Sequence, residues 1–206
     1  MTARHASRRR LAGFSIVELV IAMLVGAILL RLAAPSFANW IANQRVRSTA
    51  EALLHGLNVA RSEALRRNAR VLFAMPGGNG GESAWQVCQV AQGGFGCDAA
   101  VPVIQVRDGG EESGNARVGA TNDVGLVAPG AFAGALAAGS GVPAAVMFDG
   151  RGRLVNAVGW ANTLRMDVRD TSMSSSDERR LVVAVSASGG ARMCDPLAGA
   201  GNPRAC

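Results

Sequence analysis

Four cysteines and one isolated glutamate are the side chains whose types and spacing suggest chemistry. The cysteines form two close pairs along the chain, with no CxxC unit: Cys88 and Cys97, then Cys194 and Cys206. Neither histidine lies near them in sequence, so no zinc site is expected. Two short-loop disulfides fit better and imply an oxidising compartment. Three pairings are possible. We favour Cys88–Cys97 with Cys194–Cys206 because each closes a local loop; reduced, buried thiols are the alternative.

The isolated glutamate, Glu18, lies inside the apolar run of residues 14–30, just after three consecutive arginines. This run of about 17 residues is at the lower limit for a membrane-spanning helix. A basic flank before the run keeps the N-terminus in the cytoplasm and places the rest of the chain outside. A secretory signal has the same order. However, the segment RLAAPS is a poor cleavage site, and a signal core has no need of a carboxylate.

Other segments resemble catalytic or nucleotide-binding motifs but lack the context that those motifs require. The sequence GRGR at 150–153 has neither the lysine nor the helix start of a phosphate-binding loop. No spacing of Ser, His and Asp suggests a catalytic triad. We therefore predict no enzyme, no cofactor and no metal site.

The formal charge of +6 is concentrated at the N-terminus. Arg4, Arg8, Arg9 and Arg10 lie in the first thirteen residues, which contain no acid. Without them, 17 arginines face 15 acids, a balance of +2, and the chain contains no lysine. That balance predicts no strong bulk attraction to nucleic acid, so such binding would need a local patch.

A long helix followed by short strands must hold these residues. From Val46 to Leu65, apolar residues recur at three- and four-residue steps with charges on the other face, which predicts a helix packed on a domain. We expect Pro35 to kink the helix, not to end it, within one helix from Phe14 to Asn68. Later β-rich segments alternate with Gly-rich turns and predict an antiparallel sheet; they are 71–75, 84–90, 101–107, 144–149, 153–158, 163–169 and 179–186.

Two further segments carry local predictions. FDGRGRLV is a hairpin candidate in which Gly150 or Gly152 supplies the positive φ. Residues 125–142 have weak periodicity and are predicted to be a loop.

The N-terminal pattern resembles that of the type IV pilins and pseudopilins. The resemblance rests on the basic leader, the G-F-x-x-x-E sequence from Gly13 to Glu18, the apolar run and Pro35. In that family prepilin peptidase cleaves after the residue matching Gly13 and methylates the new amino group of the residue matching Phe14. The resemblance thus implies cleavage between Gly13 and Phe14. It also implies a single-pass protein of the bacterial inner membrane, with a periplasmic C-terminal domain, that enters a pilus or pseudopilus.

Glu18 has a physical reason to leave lipid in such a protein. A carboxylate at the centre of a bilayer costs about 2.5–3.5 kcal/mol on insertion scales. Cleavage after Gly13 creates a cationic amine four residues before Glu18, and that amine on one subunit can pair with Glu18 of a neighbour. A charge that reaches the headgroups by snorkelling is the alternative.

A second resemblance, to the GspH/FimT family, covers the end of the helix and the tail. It rests on the A-R-S-E-A core within 53–71, on FDGRGRL at 148–154 and on the cysteine-closed tail 194–206. Minor pilins of this group prime or cap type IV pili, and GspH members act in type II secretion pseudopili. The implied fold is α+β, a long N-terminal helix packed on an antiparallel β-sheet domain. The implied segments are a leader at 1–13, a transmembrane helix at 14–34, an amphipathic helix at 35–70 and a periplasmic domain at 71–206.

The implied partners are prepilin peptidase, other major and minor pilins or pseudopilins, and the inner membrane. Some FimT-like pilins also bind DNA through a C-terminal G-R-x-R motif, but here the corresponding residues, 189–192, read GGAR. The first arginine of the motif is therefore missing. The arginines that remain as candidates for phosphate contacts, with an ordinary solvated tail as the alternative, are Arg179, Arg180, Arg192 and Arg204.

Overall fold

The computed structural model describes residues 15–77, 81–91, 93–109, 114–122, 132–155, 163–174, 177–199 and 201–206. The chain divides into two compact units, one ending at Ala38 and the other spanning Asn39–Cys206. The predicted leader, with Gly13 and Phe14, lies outside the described residues.

One helix, α1, spans Ile16–Arg67 and contains Pro35. The prediction that helical structure resumes beyond this proline is confirmed. The helix ends in a Schellman arrangement: Asn68 adopts a φ of 46°, its N–H donates to the Leu65 carbonyl and the Ala69 N–H donates to the Ala64 carbonyl. Asparagine tolerates this left-handed conformation, which explains why the helix stops here.

Within the described residues, the strands form two four-stranded sheets, not a single one. The first has the order β3-β2-β1-β5 and the second the order β4-β6-β7-β8, and every neighbouring pair is antiparallel. The strands are β1 Val71–Met75, β2 Trp85–Gln89, β3 Gln105–Arg107, β4 Ala116–Thr121, β5 Ala144–Phe148, β6 Leu164–Asp170, β7 Leu181–Val185 and β8 Ala191–Cys194.

The main core joins the second half of α1 to both sheets. Its helix residues, among them Val46, Leu53 and Leu57, are fully buried together with Phe73 and Trp85 and with side chains of β4 to β7. Gly56 allows this close approach, because a Cβ atom there would lie 2.8 Å from the Phe73 ring. The helix that packs on the sheets is therefore an amphipathic one, as its periodicity predicts.

Most predicted strands are present, and the differences have local causes. The segment 101–107 contributes only its last three residues, and 153–158 contributes an isolated bridge at Leu154, its last residues lying outside the described part. Strands β4 and β8 were not predicted. In β4, Gly119 and the alanines weaken the β signal, yet Gly119 is needed because a Cβ there would lie 2.3 Å from the Ala137 carbonyl oxygen.

Candidate assembly helix and domain surface

The first part of α1 exposes almost all of its large apolar side chains. Ile16, Leu30 and Leu32 are more than 70% exposed, and the other large apolar residues from Val17 to Leu29 are about half exposed or more. In the described part of the chain, α1 is the helix that is long and apolar enough to cross a membrane, and its most apolar window is not buried. This surface can be covered by lipid or by other apolar helices.

Glu18 lies in the first turn of α1 and is exposed. Among the described residues no hydrogen-bond or ion-pair partner is found for its carboxylate. A carboxylate in the first helical turn interacts favourably with the positive end of the helix dipole. The site is therefore a helix N-terminus that carries a negative charge at the start of a run that is otherwise apolar as far as Leu30.

The A-R-S-E-A segment joins the end of the helix to the first sheet. Arg61 donates from Nε to the Gly152 carbonyl oxygen at 3.1 Å, across 91 residues of sequence. Glu63 accepts hydrogen bonds from Arg66 and Arg67. Arg66 first, and then Arg67, lower the pKa of Glu63 to about 2. The segment therefore stabilises the helix end and its contact with the turn after β5.

The FDGRGRL segment forms a tight turn that Asp149 organises. One oxygen of Asp149, Oδ1, accepts hydrogen bonds from the backbone N–H groups of Arg151 and Arg153, both at 2.9 Å. Gly152 has a φ of 71°. Of the two glycines predicted to supply the positive φ of this turn, Gly152 is therefore the one that does so. This segment also contacts the β7–β8 turn, because a Cβ on Gly189 would meet the Gly152 carbonyl oxygen. The motif therefore connects the helix end to both sheets.

Two disulfides close the local loops that the cysteine spacing favoured. Cys88 is joined to Cys97 and Cys194 to Cys206. The second bond holds the C-terminal tail beside β8, where the Asp195 N–H donates to the Arg204 carbonyl oxygen at 2.7 Å. Within the described part of the chain, no three His, Cys, Asp or Glu side chains are grouped as metal ligands.

The candidate DNA-binding arginines are scattered, and Arg180 was wrongly included among them. The side chain of Arg180 is buried beside Asp167 and donates to the Phe132 carbonyl oxygen, so it is not accessible to a phosphate. Arg179, Arg192 and Arg204 are exposed. Arg179 lies beside Asn43 of the helix, to which its N–H donates. The structure therefore assembles no cluster from the four predicted residues.

A buried ionic network on β6 was missed by sequence reasoning. Asp167 has no exposed surface and accepts hydrogen bonds from Arg165 and Arg180. Both arginines also donate to the Gly134 carbonyl oxygen, and the Arg165 guanidinium lies 5.3 Å from the centre of the Phe132 ring. The alternation R-x-D in RMDVRD has the pattern of a solvated strand face. The loop that covers this face comes from a distant segment, so no local pattern indicates that the face is buried.

A protein-family model matches most of the chain. The family model described as "Type II transport protein GspH" matches residues 49–189. The chain belongs to the GspH family. The matched region begins in the second half of α1 and contains strands β1 to β7, whereas β8 and the tail lie beyond it.

Two crystal structures of the type IV minor pilin FimU from Pseudomonas aeruginosa are similar to this GspH-family chain. One has a TM-score of 0.47 at 14% identity and covers 73% of this chain and 88% of FimU. The other has a TM-score of 0.45 at 15% identity, with coverage of 71% and 90%. A comparison with curated protein sequences gives no match.

Proposed function

We propose that this GspH-family chain is a minor pilin that primes or caps the assembly of a type IV pilus. Prepilin peptidase cleaves it between Gly13 and Phe14 and methylates the Phe14 amine. The protein then spans the inner membrane once through residues 14–34, with the amphipathic helix of residues 35–70 and the domain of residues 71–206 in the periplasm. The observation that carries the proposal is an apolar helical surface, exposed from Ile16 to Leu32, that has one carboxylate, Glu18, in its first turn.

In this mechanism, Glu18 makes assembly more favourable than remaining in lipid. The charge is costly in lipid, and a buried charge becomes tolerable when it is paired and hydrogen-bonded. The methylated amine of Phe14 is cationic, so in a helical bundle it can pair with Glu18 of an adjacent pilin. The exposed apolar side chains of the same helix then pack against neighbouring helices.

The proposal is tested by replacing Glu18 and measuring the protein in sheared pili. Glu18→Ala should be processed normally but enter pili at a level reduced about tenfold or more, because ~1.4 kcal/mol of lost pairing already gives a factor of ten. Glu51→Ala is the matched control: Glu51 is an exposed glutamate of the same helix, paired with Arg47 on the domain half. Incorporation of Glu18→Ala at the level of Glu51→Ala would reject the assembly role.

The second candidate function is that of a minor pseudopilin in type II secretion, which membership of a family described as type II transport proteins favours. Both functions use the same helix, so Glu18 does not discriminate between them. The two functions can be distinguished by deleting the gene and measuring pili and secreted enzymes separately. Loss of pili with normal secretion supports the first candidate, and the reverse result supports the second.

DNA uptake is a third candidate, for which fewer arginines are available than the sequence suggests. Arg180 cannot contact a DNA phosphate because its side chain is buried. Of the tail itself, Arg192 and Arg204 remain exposed. Unchanged DNA binding after Arg192→Ala/Arg204→Ala would exclude the tail as the site.

A further inference from the structure

The end of the proposed membrane span carries one cation and is followed by two large aromatic residues. Arg31 is exposed, and Phe37 and Trp40 are 61% and 57% exposed. All three lie on the continuous helix Ile16–Arg67. Arginine and tryptophan favour a membrane–water interface, because each joins an apolar body to a polar tip. This segment is therefore a candidate lipid-contacting site, separate from Glu18 at the other end of the span.

The rise of the helix gives the depth of these residues in a bilayer. The proposed span of residues 14–34 is about 31 Å long at 1.5 Å per residue, which matches a hydrocarbon core of about 30 Å. Along the helix, Arg31 is then about 4.5 Å inside the boundary of that core, and Phe37 is about 4.5 Å beyond it. Trp40 follows at about 9 Å, at the outer edge of a headgroup layer roughly 5–7 Å thick. The three residues therefore bracket the boundary.

Arg31 has no carboxylate partner on its own helix. The chain contains no Asp or Glu between Glu18 and Glu51, so none lies at the three- or four-residue spacing that pairs side chains on a helix. An unpaired charge within hydrocarbon is costly. The long aliphatic stem of arginine allows the guanidinium to extend to the headgroups, where it can donate two hydrogen bonds to one phosphate. Phospholipid phosphate is therefore the anion that this position favours.

The proposed cleavage after Gly13 makes this end of the span more important. Cleavage removes the leader and its four arginines, which are Arg4, Arg8, Arg9 and Arg10. The first arginine of the remaining chain is Arg31. After processing, the cationic side chain that can hold the helix at a membrane surface is therefore at the boundary opposite the new N-terminus.

We propose that Arg31, Phe37 and Trp40 form an interfacial anchor in the periplasmic leaflet. Arg31 binds a phospholipid phosphate, and the two aromatic side chains lie among the headgroups. The interfacial anchor fixes the depth of the unassembled subunit, whereas Glu18 favours its transfer into the assembly. The proposal rests on the proposed membrane span, and it adds a lipid ligand that the assembly role of Glu18 does not require.

The test measures the depth of Trp40 in phosphatidylcholine nanodiscs that contain the chain isolated from inner membranes of its own cells. Nitroxide groups are placed either on the lipid headgroups or near the top of the acyl chains, and they quench tryptophan at their own depth. Trp85 is buried in the domain, and the Trp40→Phe variant identifies the part of the quenching that comes from Trp40. Headgroup nitroxides should quench wild-type Trp40 more strongly than acyl-chain nitroxides do.

Replacement of Arg31 should change this depth. Arg31→Leu should move Trp40 toward the bilayer centre by about 6 Å, because the apolar run then continues through four more residues, to Ala34. Acyl-chain nitroxides should then be the stronger quenchers. Arg31→Lys keeps a long cationic side chain and should keep the wild-type depth. Arg47→Leu is the matched control, at an exposed arginine of the same helix that pairs with Glu51, and it should leave the depth unchanged.

Four results would overturn the proposal. Three concern depth: no headgroup quenching of wild-type Trp40, an unchanged depth in Arg31→Leu, and an equal shift in Arg47→Leu. The fourth concerns assembly, because pilus incorporation of Arg31→Leu should not fall below the wild-type level. A loss as large as that expected for Glu18→Ala would instead identify Arg31 as the partner of a carboxylate on a neighbouring subunit.

The same nanodiscs separate failure of this proposal from failure of the proposed function. A chain that does not remain in the disc would contradict the membrane span and, with it, the interfacial anchor. A chain that remains in the disc at a depth independent of Arg31 would contradict the interfacial anchor alone and leave the assembly role of Glu18 standing. Circular dichroism should show that each variant retains the fold of residues 39–206.

Discussion

The first part of α1 is almost wholly apolar, the second part is apolar on one face only, and the two parts have opposite surroundings. From Ile16 to Leu32, the large apolar side chains are about half exposed or more. From Val46 to Ala64, the apolar residues at helical spacing are mostly buried against the sheets. The second part is satisfied within its own chain, whereas the first needs lipid or other helices. The first part of α1 is thus suited to lipid or to neighbouring helices, and only the second part contributes to the folding of the domain.

Two carboxylates show the same contrast. Asp167 is fully buried between Arg165 and Arg180, so its charge is compensated inside the domain. Glu18 is exposed and has no partner among the residues that the structure describes. Removing the first should affect stability, and removing the second should affect assembly only.

The largest expected effect comes from Asp167→Ala, which leaves two buried guanidinium groups without their carboxylate. Breaking a buried ion pair in this way costs about 3–5 kcal/mol. Urea unfolding of the detergent-solubilised chain, followed by near-ultraviolet circular dichroism, measures the loss. Glu18→Ala is the control and should leave the domain transition unchanged. A shift of less than about 1 kcal/mol for Asp167→Ala would show that this network is not the anchor of the 132–136 loop.

A smaller loss is expected from Leu57→Ala. Leu57 is fully buried, and truncation of a buried leucine costs about 2–5 kcal/mol. The matched change is Leu29→Ala, at a residue 60% exposed on the same helix, for which the domain transition should not move. Equal losses of stability at the two positions would contradict the conclusion that only the second part of α1 packs in the domain core.

The smallest of the three effects is expected for Gly56→Leu. A side chain at Gly56 must displace Phe73 and Trp85, because even its Cβ would lie 2.8 Å from one ring and 3.1 Å from the other. Overpacking of this kind costs about 1–3 kcal/mol. Gly26→Leu is the control, since a Cβ at Gly26 meets nothing within 4 Å. Thermal unfolding that is unchanged in Gly56→Leu would contradict close helix–sheet packing at this position.

Prediction from sequence succeeded where a local pattern carries the information. The helix beyond Pro35 follows from three- and four-residue spacing, and β1 follows from a short apolar run that is rich in β-formers. The positive φ within FDGRGRLV follows from a glycine in a turn with an Asp before it. In each case the residues that form the pattern are also the ones that form the structure.

Prediction failed where distant segments decide the environment. Arg180 looks like a tail cation, but a loop 47 to 48 residues earlier covers it and supplies its carbonyl acceptors. Strand β4 has weak β propensity and is held by β6 on one side and by the backbone of Gly139 and Ser140 on the other. The contact between the Arg61 side chain and the Gly152 carbonyl oxygen is also one that no spacing rule reveals. Division into two sheets likewise depends on pairings between strands far apart in sequence.

Mass spectrometry of the mature N-terminus tests the central claim most directly. The claim is that the exposed half of α1 is a processed assembly helix. The protein isolated from pili or inner membranes of its own cells should begin at Phe14 and carry one methyl group on its amine. In cells that lack prepilin peptidase it should retain the leader and carry no methyl group. A mature chain that begins at Pro35 would instead identify residues 1–34 as a secretory signal and would contradict the account.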